Sequence, residues 1–143
     1  EWHKQLQRDA VTRKEVTLPS GRVYAFPDSK WTDWGTATNR TAICNYPVQG
    51  FATADLLPIA LVKLYHDMKK RDMKSVICNT VHDSIVIDVY PCEEEECIDV
   101  MAEAMLSLPQ ETLRRFGRQY DMPIGIELKM GSNWLDLQPV LEV

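Results

Sequence analysis

The stretch SVICNTVHDSIVIDVY, Ser75 to Tyr90, constrains this chain more than any other. Two runs rich in β-branched residues meet at His82-Asp83, and such runs read as strands of a hairpin. A turn needs polar residues, so a His-Asp tip has a plain structural explanation. It also has a chemical one, because a carboxylate at a hairpin tip is rigidly presented and reachable from solvent. Alternation along a regular strand would send Asp83, Ile85, Ile87 and Val89 to one side. The turn breaks that rule at Asp83.

The remaining elements point to an α+β fold: a small antiparallel sheet with helices packed on one face. Residues 1–15 form a charged, amphipathic helix. Val16 to Asp28 forms a short hairpin that turns at Pro19-Ser20-Gly21. Residues 29–39 carry no period and read as a loop. From Tyr46 to Lys70 the period is helical, with Asn45 as cap and Pro47 early, where a missing N–H costs little. Leu56, Ile59, Leu61, Leu64, Tyr65 and Met68 form its apolar stripe. Pro58 should kink this helix or split it in two. Glu93 to Leu108 is a second amphipathic helix, with Ile98, Met101, Ala102, Met105 and Leu106 on one face. The run Glu93 to Glu96 suits its first turn, where the helix dipole favours acids. Residues 110–120 form a short helix and Pro123 to Gly131 a third strand. The tail from Ser132 has no usable period, and there is no internal repeat.

The net charge of −5 argues at first against a nucleic-acid partner. Its distribution removes that objection: residues 1–83 carry +3 and residues 84–143 carry −8. A polyanion could meet the first part without meeting the second. Four cysteines, none in a Cys-x-x-Cys pair, read as reduced thiols of a cytoplasmic protein rather than disulfides or zinc ligands. No apolar run nears the roughly 18 residues of a membrane helix, and there is no secretory signal. The chain starts at Glu1 rather than Met, so it reads as cut from something longer, or processed.

A free carboxylate at Asp83 meets the needs of Mg²⁺, which takes one or two carboxylates with substrate phosphates. One carboxylate is thin for two ions held about 3.5–4 Å apart. Asp88 is five residues on, roughly 16 Å at about 3.3 Å per residue, and cannot share the site. Asp55 and Glu127 are candidates that sequence alone cannot place. A His-Asp phosphohydrolase would need further His and Asp ligands on helices, and only His3 and His66 remain.

A second segment, RTAICNYPVQGFATAD from Arg40 to Asp55, changes the balance. Together with NTVHDSIVIDV and PIGIELKMGSNW it resembles the C-terminal part of family A DNA polymerases, the Pol I-like group, in a phage-like flavour. The hairpin LPSGRVYAFPD matches a fourth, weaker feature. The resemblance covers about residues 16 to 134, and three motifs in order at fitting separations are far more specific than any one. It implies that residues 1–40 hold the end of the fingers and the hairpin and that residues 41–143 belong to the palm. It implies that Asp83 is a catalytic aspartate holding two Mg²⁺ ions, and that His82 lies against the primer end. It implies that Asn45 and Gln49 hydrogen-bond bases in the minor groove, where acceptors are nearly the same for every base pair. On the residues alone, Asn45 reads as a helix cap and Gln49 as a solvated side chain. The implied partners are primer–template DNA, deoxynucleoside triphosphates and an upstream polymerase segment, with no membrane and with the cytoplasm (the host's, if viral) as the setting.

Three departures from the family pattern stand out. Ser84 occupies the place where most members have Glu after His-Asp; it keeps a hydrogen bond but no charge, and activity should survive. Arg40, the nearest candidate template contact, lies nine residues before Gln49 rather than eight, and Thr41 holds the usual place. Pro58 falls inside the following helix and suggests the phage-like branch. The family's first motif, with the other metal-binding Asp, and the nucleotide-gripping fingers helix lie upstream of anything present. The leading expectation is thus a fragment of a DNA-directed DNA polymerase, inactive alone. The alternatives are a subunit of a split polymerase and a non-catalytic DNA-binding module derived from the palm.

Overall fold

The computed structural model describes residues 1–119 and 123–143. The chain divides into two compact units, Glu1–Asp55 and Leu56–Val143.

In the first unit, helix α1 (Trp2–Thr12) buries Leu6, Gln7 and Ala10 on one side, spaced at i, i+1 and i+4. Strands β1 (Glu15–Thr17) and β2 (Val23–Ala25) pair antiparallel, with Val16 opposite Tyr24. Their turn is the expected one. Gly21 takes a positive φ of 86°, which favours glycine, and its N–H reaches the Leu18 carbonyl at 2.9 Å. Helix α2 spans Arg40–Gln49. Leu6, Ala10, Val16, Phe26, Ala37 and Ile43 close around one apolar core. The loop after β2 is tied to it by a buried amide, since the Ala37 N–H donates to Gln7 Oε1 at 3.0 Å.

The expected helix over 46–70 starts earlier and is broken. Asn39, in a left-handed conformation, takes the N-cap position at Arg40, so Asn45 sits in the second turn rather than at the cap. Pro47 therefore lies inside α2, where its missing N–H removes one ladder bond. A π-helical stretch follows over Gly50–Leu56, and α3 (Leu57–Lys70) restarts with Pro58 in its first turn. Pro58 thus splits the run, as its chemistry demands.

In the second unit, strands β3 (Val76–Val81) and β4 (Ser84–Asp88) form the His82-Asp83 hairpin. The ladder slips by one residue at Cys78, a bulge that leaves Ile77 opposite Ile87 and Asn79 opposite Val86. Ile77, Ile85 and Ile87 face inward onto Leu64 and Met68 of α3 and onto Val100 and Ala104 of α4 (Glu94–Leu106). Helices on one face of a small antiparallel sheet are what the sequence predicts. The buried side of α4, however, is Cys97, Val100 and Ala104, about one residue round from the predicted stripe. The larger Ile98, Met101 and Met105, which set the predicted stripe, are only half-buried, and the smaller Cys97, Val100 and Ala104 make the close approach.

Helix α5 runs over Leu108–Phe116 and ends at Gly117, whose positive φ of 64° forms a left-handed C-cap. Residue 120, the end of the expected helix, lies outside the described residues. Strand β5 covers only Glu127–Met130 of the expected Pro123–Gly131, and it pairs with β6 (Gln138–Glu142). The tail was expected to be irregular. It forms β6 because a tight loop returns it to β5. A Cβ at Gly131 would meet the Asp136 carbonyl oxygen at 2.6 Å, so only glycine admits that approach. All four cysteines are free thiols. No helix among the described residues is long and apolar enough to cross a membrane.

Leu64 is 1% exposed at the centre of the second core. Leu64→Ala should cost about 2–5 kcal/mol of stability, since the cavity it leaves cannot fully collapse. Urea unfolding followed by circular dichroism measures it, and a loss under about 1 kcal/mol would contradict the packing described.

Candidate active site

The hairpin turn consists of His82 and Asp83 alone, with Val81 and Ser84 as the last paired residues. Only His82 of the two has a positive φ, 54°, the position that glycine usually fills in a II′ turn. A non-glycine residue held there stores strain of order 1–3 kcal/mol, the kind of cost that gathers at functional sites. The Ser84 hydroxyl donates to the Val81 carbonyl at 2.8 Å and closes the turn. His82 and Asp83 are both exposed. The Asp83 carboxylate takes no hydrogen bond and no ion pair among the described residues.

A free carboxylate at this tip suits a hard divalent cation as one ligand. No group of three or more His, Cys, Asp or Glu side chains able to hold a metal occurs among the described residues. The other carboxylates considered are committed or remote. Asp55, 8% exposed, accepts from Ser20 Oγ and from Arg22 Nε at 2.9 Å. Asp88 pairs with Val76 at the far end of the ladder, and Glu127 lies in β5 beside Lys129 Nζ at 2.9 Å.

The base of the hairpin is held by Glu93, the residue before α4. Its carboxylate accepts from the N–H groups of Lys74 (2.9 Å) and Ser75 (2.8 Å) and from the Ser75 hydroxyl (2.6 Å). The buried Ser75 Oγ in turn accepts the Tyr90 N–H at 2.9 Å and the Cys97 thiol at 3.3 Å. One side chain, from the residue before β3, thus reaches Tyr90, two residues after β4, and the first turn of α4. The Ser75 hydroxyl, with the Lys74 N–H, holds the Glu93 carboxyl below its ordinary value of 4.5. Burial pushes the Cys97 thiol up, so it stays protonated and inert. The sequence places Glu93 in a run of helix-dipole acids; Glu94 to Glu96 do fill the first turn of α4. Nothing in the sequence marks Glu93 as bound to a strand 18 residues earlier.

In the first unit, Ile43 and Pro47 are the buried side of α2. Asn45 and Gln49 lie on its exposed side, about 40° apart at about 100° per residue. Arg40 is exposed on the same helix but points about 140° away from Asn45, so it does not share their face. Beside Gln49 are Tyr24 and Tyr46, with ring centroids 5.8 Å apart. The sequence reading missed both tyrosines, since Tyr46 read as the first residue of a helix and Tyr24 as a strand residue.

The model of DNA polymerase family A matches residues 1–136. The chain belongs to DNA polymerase family A. DNA polymerase I of Lactococcus lactis is 30% identical over 135 residues, which is 93% of this chain and 14% of that protein. The DNA polymerase of Bacillus phage SP01 is 28% identical over 141 residues, 94% of this chain and again 14% of the relative. Among solved structures, the POL domain of Pol1 from M. smegmatis, in complex with DNA primer-template and dNTP, superimposes with a TM-score of 0.64 at 26% identity. That similarity covers 75% of this chain and 19% of the other. This family A chain therefore spans about a seventh of the length of the curated relatives named.

Because the folded pKa of Glu93 is depressed, its contribution is present at neutral pH and is lost as pH falls below 4.5 through the folded value. Glu93→Gln should lower the thermal midpoint at pH 7, and the gap to wild type should close as the pH is taken toward 3. Melting curves across that range check this. A gap that is constant with pH would mean that the Glu93 charge does not anchor the hairpin.

Proposed function

We propose that this segment is the C-terminal palm portion of a DNA-directed DNA polymerase, with residues 1–40 closing the fingers and residues 41–143 forming the palm. The reaction is template-directed nucleotidyl transfer to a primer end. The observation that carries the reading is the unpaired Asp83 carboxylate on a strained two-residue turn, in a chain of this family.

Asp83 would hold Mg²⁺, with the remaining ligands supplied from outside this segment. When bound, the metal supplies a lowered pKa at the primer 3′-hydroxyl and countercharge for the pyrophosphate leaving group. The chain's own residues do the positioning. His82 neighbours the metal ligand and would lie against the primer terminus. Ser84 fixes the turn through Val81 and brings no charge to it. Asn45 and Gln49, unpaired and on one exposed face, would donate to minor-groove acceptors near the primer end and so test base-pair geometry without reading sequence. Arg40 would contact DNA from another side of α2 than Asn45 and Gln49. Pro58 inside the helical run suggests a phage-like branch of the family. The partners of the whole protein would be primer–template DNA, deoxynucleoside triphosphates and the polymerase segment that carries the missing motifs.

The test is primer extension in Mg²⁺ by the protein expressed from its complete reading frame. Asp83→Asn should lower extension by orders of magnitude while primer–template binding persists. Extension near wild type would return His82-Asp83 to a plain polar turn. Loss of extension only when a separate upstream polypeptide is absent would identify a split polymerase. DNA binding with no extension under any condition would identify a non-catalytic module. His82→Gly separates backbone from side chain: the turn should keep its stability or gain up to about 1 kcal/mol, while extension falls.

A further inference from the structure

Tyr24, Tyr46, Gln49, Gly50 and Thr53 line an open cavity of about 230 Å³ in the first unit. That is below the roughly 300–1,000 Å³ of pockets that enclose a whole small ligand, so it suits part of a larger one. No charged group lines it, which argues against a phosphate and for a sugar or a base edge. The Tyr24 and Tyr46 hydroxyls and the Gln49 amide have no hydrogen-bond partner among the described residues. Three neutral polar groups thus converge on one opening without a protein partner.

The cavity is built rather than incidental. Tyr46 is 51% exposed, yet its ring is clamped by Tyr24 at 5.8 Å and by Phe26 at 6.2 Å, so it cannot fold away from solvent. The Tyr24 hydroxyl fills the space a side chain at position 50 would need; a Cβ there would fall 1.8 Å from it. Gly50 opens the π-helical stretch, and Thr53 Oγ1 donates back to the Gln49 carbonyl at 2.7 Å, securing the widened turn. Rings held in advance lose little freedom on binding.

We propose that Tyr24 and Tyr46 extend the DNA-binding face of Asn45 and Gln49, receiving the deoxyribose and minor-groove base edge of one nucleotide of the primer–template duplex. This rests on the reading of α2 as a minor-groove element. Tyr46 is three residues before Gln49, about 60° round the helix, so the two faces are continuous. The phenol hydroxyls donate to purine N3 or pyrimidine O2, acceptors present at every base pair. The contact senses groove geometry and not sequence.

The experiment uses the protein from its complete reading frame and primer–templates in which one purine at a time is replaced by its 3-deaza analogue, which lacks the minor-groove acceptor. Affinities are measured by fluorescence anisotropy for wild type, Tyr24→Phe, Tyr46→Phe, Asn45→Ala and Gln49→Ala. The phenylalanine variants keep the rings, and thermal unfolding checks that they keep the fold. Each should bind about two- to tenfold more weakly, the value of one hydrogen bond. The 3-deaza base at one register position should cost wild type the same factor and the matching variant nothing further. Wild-type affinity in both variants, or additive losses at every position, overturns the proposal. If Gln49→Ala or Asn45→Ala still couples to a position, the minor-groove reading of α2 survives that failure. If neither couples, that reading falls with it.

Discussion

The Glu93 carboxylate takes two backbone N–H groups and one hydroxyl at the foot of the β3–β4 hairpin, and the presentation of Asp83 depends on that anchor. A two-stranded hairpin is marginal in water by itself. Here Ile77, Ile85 and Ile87 gain an apolar floor from α3 and α4, but apolar contact is non-directional. It lets a hairpin slide. The hydrogen bonds at Ser75 fix where the strands begin and end relative to α4, and the bulge at Cys78 fixes register along them. With both ends of the ladder held, a two-residue turn has little choice of conformation, and His82 is held at a φ it would otherwise avoid. Strain of this kind persists only where the surroundings over-determine it.

A comparable logic runs through the first unit with different chemistry. Pro47 and the π-helical stretch disturb the helical ladder around Gln49. A disturbed ladder frees carbonyls that need donors. Arg22, on the β1–β2 turn, donates to the Ala54 carbonyl at 3.2 Å and binds the Asp55 carboxylate as well. Ser20 of the same turn completes the Asp55 carboxylate. The Arg22 guanidinium is raised further by that carboxylate and stays charged throughout. The hairpin turn thus acts as an external cap for an irregular helix, and the residues after Gln49 can wind as they do without orphaned polar groups.

The β-branched runs, the glycine turn at Gly21, the break at Pro58 and the inward face of β4 were legible in the sequence, because each follows from one residue's local chemistry. The start of α2 was not. Asn45 and Asn39 are equally good caps on paper, and only the burial of Ile43 against the α1 core decides for the earlier one. Strand β6 was hidden because its sequence has no alternation; pairing with β5 supplies what pattern does not. Of the candidate site, the hairpin turn at His82-Asp83 and the shared exposed face of Asn45 and Gln49 were legible, since strand runs and an i, i+4 spacing fix both. The tie from Glu93 to Ser75 and the clamp on Tyr46 were not, since both join segments distant in sequence through side chains with common local explanations.

The place of the Asp83 carboxylate in a two-residue turn, more than its lack of a partner, is what gives it meaning. Asp55 is buried and paired, Glu93 is bound to backbone, and Glu111 is shared by Arg114 and Arg115. Each such group stabilises its neighbourhood because a partner offsets the loss of hydration. Asp83 has no such return. It sits beside a strained residue on a rigid tip, with its charge uncompensated by the described residues. Optimised for stability alone, the turn would carry glycine at position 82 and a residue bonded to the backbone at 83. Departure from local optimum at two adjacent positions, on a hairpin otherwise fully tied down, is the pattern expected where binding rather than folding sets the residue.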